Sequence, residues 1–249
     1  MIDLQRYFLE GVFDEDGNAI ITGDDRKHII NVMRMKVNDK VIAVSNREAS
    51  ASLITEVSPE SVTIQRLEGR LSTNELPINV TIACGLAKGD KHDFIVQKGT
   101  ELGVSAIIPF KAARSIVKWD EKKGAKKIER LQKIARQAAE QCHRTVIPKV
   151  SNPLSIQQLI AAAKEYDVLL FADEEDAKSE EPHRIADRVK NMRPKQKVLI
   201  VFGPEGGLSR SEADSLTLAN FLPVALGPRI LRTETAPLYF LSAVSYEFE

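Results

Sequence analysis

Apolar and polar positions follow one rhythm up to about residue 70 and another beyond it. In the first stretch the apolar runs are short, and turn residues separate them. Arg6 to Leu9, Ala19 to Thr22, Lys40 to Val44, Ala51 to Thr55 and Ser61 to Gln65 read as strands, short and bounded by turn signals. Asp14-Glu-Asp-Gly-Asn18, Asn38-Asp39 and Ser58-Pro59 supply the turns. One helix is predicted over Asp24 to Met33, where Ile29, Ile30 and Met33 repeat at helical spacing. Short strands with one helix predict a small β barrel.

Arg70 to Pro77 is polar and ends in proline, so it reads as a linker between a domain of residues 1–70 and one of residues 71–249. Past it, strands and helices alternate. Strands are predicted at Ile78 to Cys84, Ala106 to Pro109, Val168 to Ala172, Lys197 to Phe202 and Leu222 to Leu226. Helices are predicted at Asp90 to Leu102, Glu121 to Gln141, Ser155 to Lys164 and Pro182 to Met192, with a last one from Thr235. In the first of these, Phe94, Ile95, Lys98 and Leu102 are expected to face inward, with Gly103 closing the helix. In the second, Ile128, Leu131, Ala135 and Ala138 take that place. Lys178 to Pro182 reads as a charged surface loop. Alternation of this kind predicts a mostly parallel sheet covered on both faces.

Composition narrows the class. The 249 residues suffice for two modest domains with real cores. No apolar run approaches the ~20 residues of a membrane helix, and the first residues lack a signal pattern, so a cytoplasmic protein without membrane contact is expected. Cys84 and Cys142 have no metal-ligand spacing and are expected to be reduced; no metal is expected. The formal net charge is zero, yet its distribution is uneven. Lys88 to Lys149 holds 15 basic against 7 acidic residues, and Glu165 to Asp187 holds 2 against 9. A local basic surface can therefore still collect phosphates.

The candidate chemistry lies in two loops that each follow a buried-strand pattern and precede a helix. They are Gly203-Pro-Glu-Gly-Gly-Leu208 and Leu226-Gly-Pro-Arg-Ile-Leu-Arg-Thr-Glu-Thr-Ala236. Ser209 and Glu212 form a capping-box signature after the first. Strand, glycine loop and helix is where an α/β sheet places a ligand. The glycines allow positive φ and close approach of a ligand. No GxGxxG or GxxxxGK[ST] is present, and Glu205 sits where a phosphate cradle would rarely put a carboxylate. A ligand that is cationic or uncharged at this face fits better, and S-adenosylmethionine is one. A tight turn with no ligand is the plainer reading.

Together these loops resemble the RsmE-type methyltransferases of the SPOUT superfamily, which methylate a uridine of small-subunit ribosomal RNA on N3. Gln5-Arg-Tyr-Phe8, His28 to Arg34, Lys88-Gly-Asp-Lys91, Gln97 to Gly103 and Glu140-Gln141 extend the likeness over nearly the whole chain. The resemblance implies a PUA-like RNA-binding domain, then a SPOUT domain with a deep C-terminal trefoil knot. It also implies S-adenosylmethionine as cofactor, a homodimer, and 16S ribosomal RNA as substrate, in the assembled small subunit. The apolar last helix, with Leu238, Leu241, Val244 and Phe248, could equally be core.

Methyl transfer from a sulfonium needs alignment of donor and acceptor, and the imide nitrogen of uracil must lose its proton. The catalytic candidates are Arg232, for developing charge on O2 or O4, and Glu234; an ion pair of Arg232 with Glu234 or Glu205 is the structural alternative. Ala172, Phe202, Gly203, Gly207, Leu226, Gly227, Ile230, Leu231, Arg232, Thr235 and Ala236 are the cofactor candidates. Arg6, Arg34, Lys88, Lys91, Arg136 and Arg144 are the candidates for RNA phosphates. Before Arg144 the chain has Cys142-His143, where the family commonly has a small residue or glycine. The competing readings are an RNA-binding module with a structural C-terminal domain and, disfavoured by the missing GxGxxG, a dinucleotide-dependent oxidoreductase.

Overall fold

The computed structural model describes residues 4–69, 71–119, 121–175, 179 and 181–248. Arg70 of the expected linker, and Lys178 and Glu180 of the expected charged loop, lie outside them. The chain forms two compact units, residues 1–75 with 139–146, and residues 76–138 with 147–249.

The first unit holds β1 (Arg6–Phe8), β2 (Asn18–Ile21), α1 (Gly23–Lys27) running into a π turn (His28–Val32), β3 (Lys40–Ser45), β4 (Glu48–Val57) and β5 (Val62–Arg66). Its sheet order is β1-β3-β4-β5-β2, with β1 parallel to β3 and every other pairing antiparallel. The order has two ends: among the described residues no pairing joins β1 to β2 and closes the expected barrel. The three residues of β1 and four of β2 offer few ladder groups with which to close it. Alternation puts Val41 and Ala43 of β3 into the core with Tyr7, Ile21, Ile29, Ile54, Val62 and Ile64.

Glu75, at the end of the first unit's longer segment, binds a segment distant in sequence. Its carboxylate accepts from Arg144 Nε at 3.0 Å and Nη2 at 2.6 Å, and from the backbone N–H groups of Thr145 at 2.8 Å and Val146 at 3.0 Å. Residues 139–146 thereby join the first unit.

The second unit contains β6 (Asn79–Gly85), α2 (Lys91–Glu101), β7 (Ala106–Lys111), most of α3 (Glu121–Gln141), β8 (Lys149–Val150), β9 (Leu154–Ser155) and α4 (Ile156–Ala162). It continues with β10 (Val168–Ala172), α5 (Ile185–Lys190), β11 (Lys197–Phe202), α6 (Arg210–Leu218), β12 (Leu222–Val224) and α7 (Thr235–Phe248). The order is β12-β10-β11-β6-β7-β8, with β9 also on β7 and all pairs parallel. Successive side chains of a strand point to opposite faces. Val198, Ile200 and Phe202 accordingly pack into one core with Ile95, Leu131, Phe240 and Leu241, while Leu199 and Val201 pack into another with Leu159, Ala213 and Leu216.

Two local expectations change. In α2 the inward residues are His92, Ile95, Val96, Gly99 and Thr100, and Phe94 is 46 % exposed. Gly99 lies on this face against Leu241, Val104 and Ile82, and Lys98 turns outward to Glu101 at 2.8 Å. The helix expected from Pro182 begins only at Ile185, because Arg184 is bridged to Ala225 beside β12. In α7, Leu241 and Val244 are core.

Candidate functional site

A cavity of about 710 Å³ opens beyond the carboxyl ends of β10, β11 and β12, within the size range of small-molecule sites. Its walls come from the two glycine loops, and Ala172, Phe202, Gly203, Gly207, Leu226, Gly227, Ile230, Leu231, Arg232 and Ala236 all line it. Thr235 and Glu234 do not. Ile230 is 79 % exposed, so it stands at the mouth rather than in the depth.

The glycines divide into two kinds. Gly207 has φ +67° and Gly227 φ +88°, the left-handed region that favours glycine. Gly203 is needed for closeness instead: a Cβ there would lie 2.6 Å from the Gly207 carbonyl carbon and 2.7 Å from Leu208 N. The loop folds back on itself through the Gly207 N–H to Pro204 carbonyl bond of 2.8 Å.

Glu212, 6 % exposed, fixes this loop to the helix that follows. It completes the capping box with Ser209, and its Oε1 also accepts the Ala113 N–H at 2.8 Å. The capping box is legible in sequence; its second duty, to the segment after β7, is not. Next to it, Arg114 Nη1 donates to the Gly206 carbonyl at 3.0 Å.

Charge in the site converges on Lys91. Its Nζ lies 3.0 Å from Glu205 Oε1 and 3.5 Å from Glu234 Oε2. The hydrogen bond to Glu205 raises the lysine above its ordinary value, against a smaller opposing effect of burial. Burial works against the Glu205 carboxylate, but bonds from backbone N–H groups and from Lys91 prevail and hold it below the usual range. Lys91 therefore takes both carboxylates that had been alternative partners for Arg232. Arg232 is exposed at the mouth, and among the described residues it makes no ion pair.

Two of the six expected phosphate contacts are paired within the protein. Lys91 is bound inside the cavity wall, and Arg144 is 4 % exposed with its guanidinium on Glu75. Their charges are already compensated. Arg6 is half-buried, donates from Nη1 to the Arg144 carbonyl at 3.1 Å, and is lowered by burial. Arg136 is partly buried, whereas Arg34 and Lys88 are exposed. The sequence reading missed Arg114, which also lines the cavity mouth; only its place in the basic stretch after residue 88 signalled it. Among the described residues, no three His, Cys, Asp or Glu side chains form a metal-binding group, and no helix is long and apolar enough to cross a membrane.

Comparison with known proteins agrees with this picture. A family model described as an RNA methyltransferase domain matches residues 74–245, and one described as an RNA methyltransferase PUA domain matches residues 21–65. The chain is 46 % identical to the ribosomal RNA small subunit methyltransferase E of Bacillus subtilis (strain 168), over 99 % of this chain and 98 % of that protein. It is 30 % identical to the protein of that name from Mesomycoplasma hyopneumoniae, over 96 % of this chain and 98 % of the relative. The crystal structure of the Neisseria gonorrhoeae enzyme of that name, bound to S-adenosyl methionine, superposes with TM-score 0.84 at 28 % identity, covering 98 % of both chains. The chain therefore belongs to the family of RNA methyltransferases whose members are named ribosomal RNA small subunit methyltransferase E.

Proposed function

We propose that this protein is an S-adenosylmethionine-dependent methyltransferase acting on N3 of a uridine in small-subunit (16S) ribosomal RNA. The observation that carries the proposal is the cavity beyond β10 to β12, walled by main chain and apolar side chains from two glycine loops. Adenine needs a flat apolar slot with a few hydrogen bonds. Leu226, Leu231, Phe202 and Ala236 supply apolar surface there, and Gly203 lets the loop fold back tightly against Gly207 and Leu208 to form the wall. The chain fits the cofactor on these grounds, and a bound relative supports it.

S-adenosylmethionine would supply a methyl group on a sulfonium, ready for in-line displacement. The protein's part is alignment and charge. The loops hold the donor and exclude water from it. Arg232 at the mouth donates to O2 or O4 of the uracil as negative charge develops. Glu234, beside the cavity and held by Lys91, is the proposed acceptor of the N3 proton. Arg114 and Arg229 join Arg34, Lys88 and Arg136 as the proposed phosphate contacts; Arg114, Arg229 and Arg232 are all exposed around one mouth. The rest of the reading is a PUA-like domain, residues 1–70, and a SPOUT domain, residues 71–249, in a protein that works in the cytoplasm on the assembled subunit as a homodimer. The trefoil knot belongs to it too.

The test has two arms. Calorimetry with S-adenosylmethionine should give one saturable site, and ribosomal RNA from a strain lacking the protein should lack one N3-methyluridine that returns with the gene. Arg232→Ala should retain RNA affinity and lose turnover by on the order of 10²-fold, as for a lost transition-state donor. Normal turnover by Arg232→Ala would remove that residue from the mechanism. An unchanged methylation map would remove the assigned reaction.

A further inference from the structure

Three loops meet at one ammonium group. Lys91 opens α2, Glu205 lies after β11, and Glu234 immediately precedes α7. Lys91 and Glu205 are 114 positions apart. The Glu205 oxygen that binds Lys91 also accepts the Lys88 backbone N–H at 3.0 Å, so the segment after β6 is held twice. Glu234 Oε2 is buried and makes no hydrogen bond among the described residues. The Lys91 ammonium, 3.5 Å away, is the cation that faces it. Without that cation the wall would hold two carboxylates with nothing between them, and like charges so placed repel.

We propose that Lys91 is a positioning residue of the cofactor pocket. By bridging Glu205 and Glu234 it keeps the loops of residues 203–208 and 231–236 at the separation the ligand requires. The proposal rests on the reading of this cavity as the S-adenosylmethionine site. It replaces the expectation that Lys91 binds RNA phosphate. It also explains why a carboxylate stands in the middle of a glycine loop: Glu205 is there to receive the Lys88 N–H and the Lys91 ammonium.

The side chains of the bridge are between one-fifth and one-third exposed, so salt should weaken it. This gives a readout that simple loss of packing would not move. Calorimetric binding of S-adenosylmethionine is measured for the wild type, Lys91→Met, Lys91→Arg, Glu205→Gln and the double variant Lys91→Met/Glu205→Gln, at low and high salt. Lys91→Met should weaken binding by about tenfold, within the range of coupled contacting residues. Lys91→Arg should recover most of the loss, and the double variant should bind no worse than Lys91→Met. The gap between wild type and Lys91→Met should narrow at high salt. The salt slope for protein-free small-subunit ribosomal RNA should not change. Wild-type affinity in Lys91→Met, or additive losses in the double variant, overturns the proposal. So does a fall of about one unit in the RNA salt slope, which would mark a phosphate contact. If Lys91→Met does not fold, Glu205→Gln breaks the same bridge from the other side and must show the same loss. A wild type that binds no S-adenosylmethionine defeats the functional reading itself, an outcome distinct from the others.

Discussion

His92 should make the second unit lose stability as pH falls from neutrality toward 4. Its ring is 3 % exposed, and neither nitrogen has a hydrogen-bond partner among the described residues. It packs edge-on against Trp119 with ring centroids 5.3 Å apart, and Lys127 lies 4.8 Å over that indole. Burial is the main reason its pKa drops from 6.5 to about 4; Lys127 adds to the drop, and the Cys84 backbone and Glu205 oppose it. An unfolded chain takes up this proton near 6.5, the folded chain only near 4. Between these values the unfolded state binds more protons, so stability increases with pH there. The contribution is complete above the unfolded value and is lost as pH falls to the folded one. At 1.36 kcal/mol per unit, the whole window is worth about 3 kcal/mol, of which about 2 is lost by pH 5. Trp119 is the sole tryptophan of the chain, so its fluorescence during urea unfolding reports on the histidine's own surroundings. His92→Phe keeps a ring against the indole and removes the titration. Its stability should change between pH 7 and pH 5 by about 2 kcal/mol less than that of the wild type. Carboxylates such as Glu205, held below the ordinary range, lose their contribution at lower pH in both proteins and cancel. Parallel pH dependences in the two proteins would refute the reasoning.

Two further outcomes follow from single contacts. Glu75→Gln removes a carboxylate bonded to the buried Arg144 guanidinium, so the first unit should lose about 1.5–3 kcal/mol, the range for hydrogen bonds to charged groups, in urea unfolding followed by circular dichroism; a loss below 1 kcal/mol would mean that the pair is solvated. Gly203→Ala places a Cβ 2.6 Å from the Gly207 carbonyl carbon, and both neighbours are backbone, so the loop must shift. Cofactor affinity should fall by at least tenfold, whereas Gly207→Ala meets nothing within 4 Å and pays only for its φ of +67°, a strain of about 1 kcal/mol; equal effects from the two variants would show that closeness is not what Gly203 provides.

What the sequence determined by itself was what short-range chemistry controls. The short apolar runs of β3 and β5, the helical repeat of Leu131, Ala135 and Ala138, and the box of Ser209 with Glu212 each depend on residues within a few positions of one another. Each is present in the structure. The glycine loops were equally legible, because few other sequences turn so tightly after a buried strand. The fate of individual charges was not legible. Lys91 and Arg144 read as basic residues in a basic stretch, but Glu205 lies 114 positions from the first and Glu75 69 positions from the second. Pairing across such distances is set by where the strands and loops come to rest, and no local pattern encodes it. The inner face of α2 was decided in the same way: Phe94 is the larger apolar residue, but it is Ile95, Val96 and Gly99 that turn inward, Gly99 against Leu241 and Ile82. Only the tertiary structure could decide these points, because side-chain burial depends on what lies opposite and sequence spacing specifies only what lies adjacent.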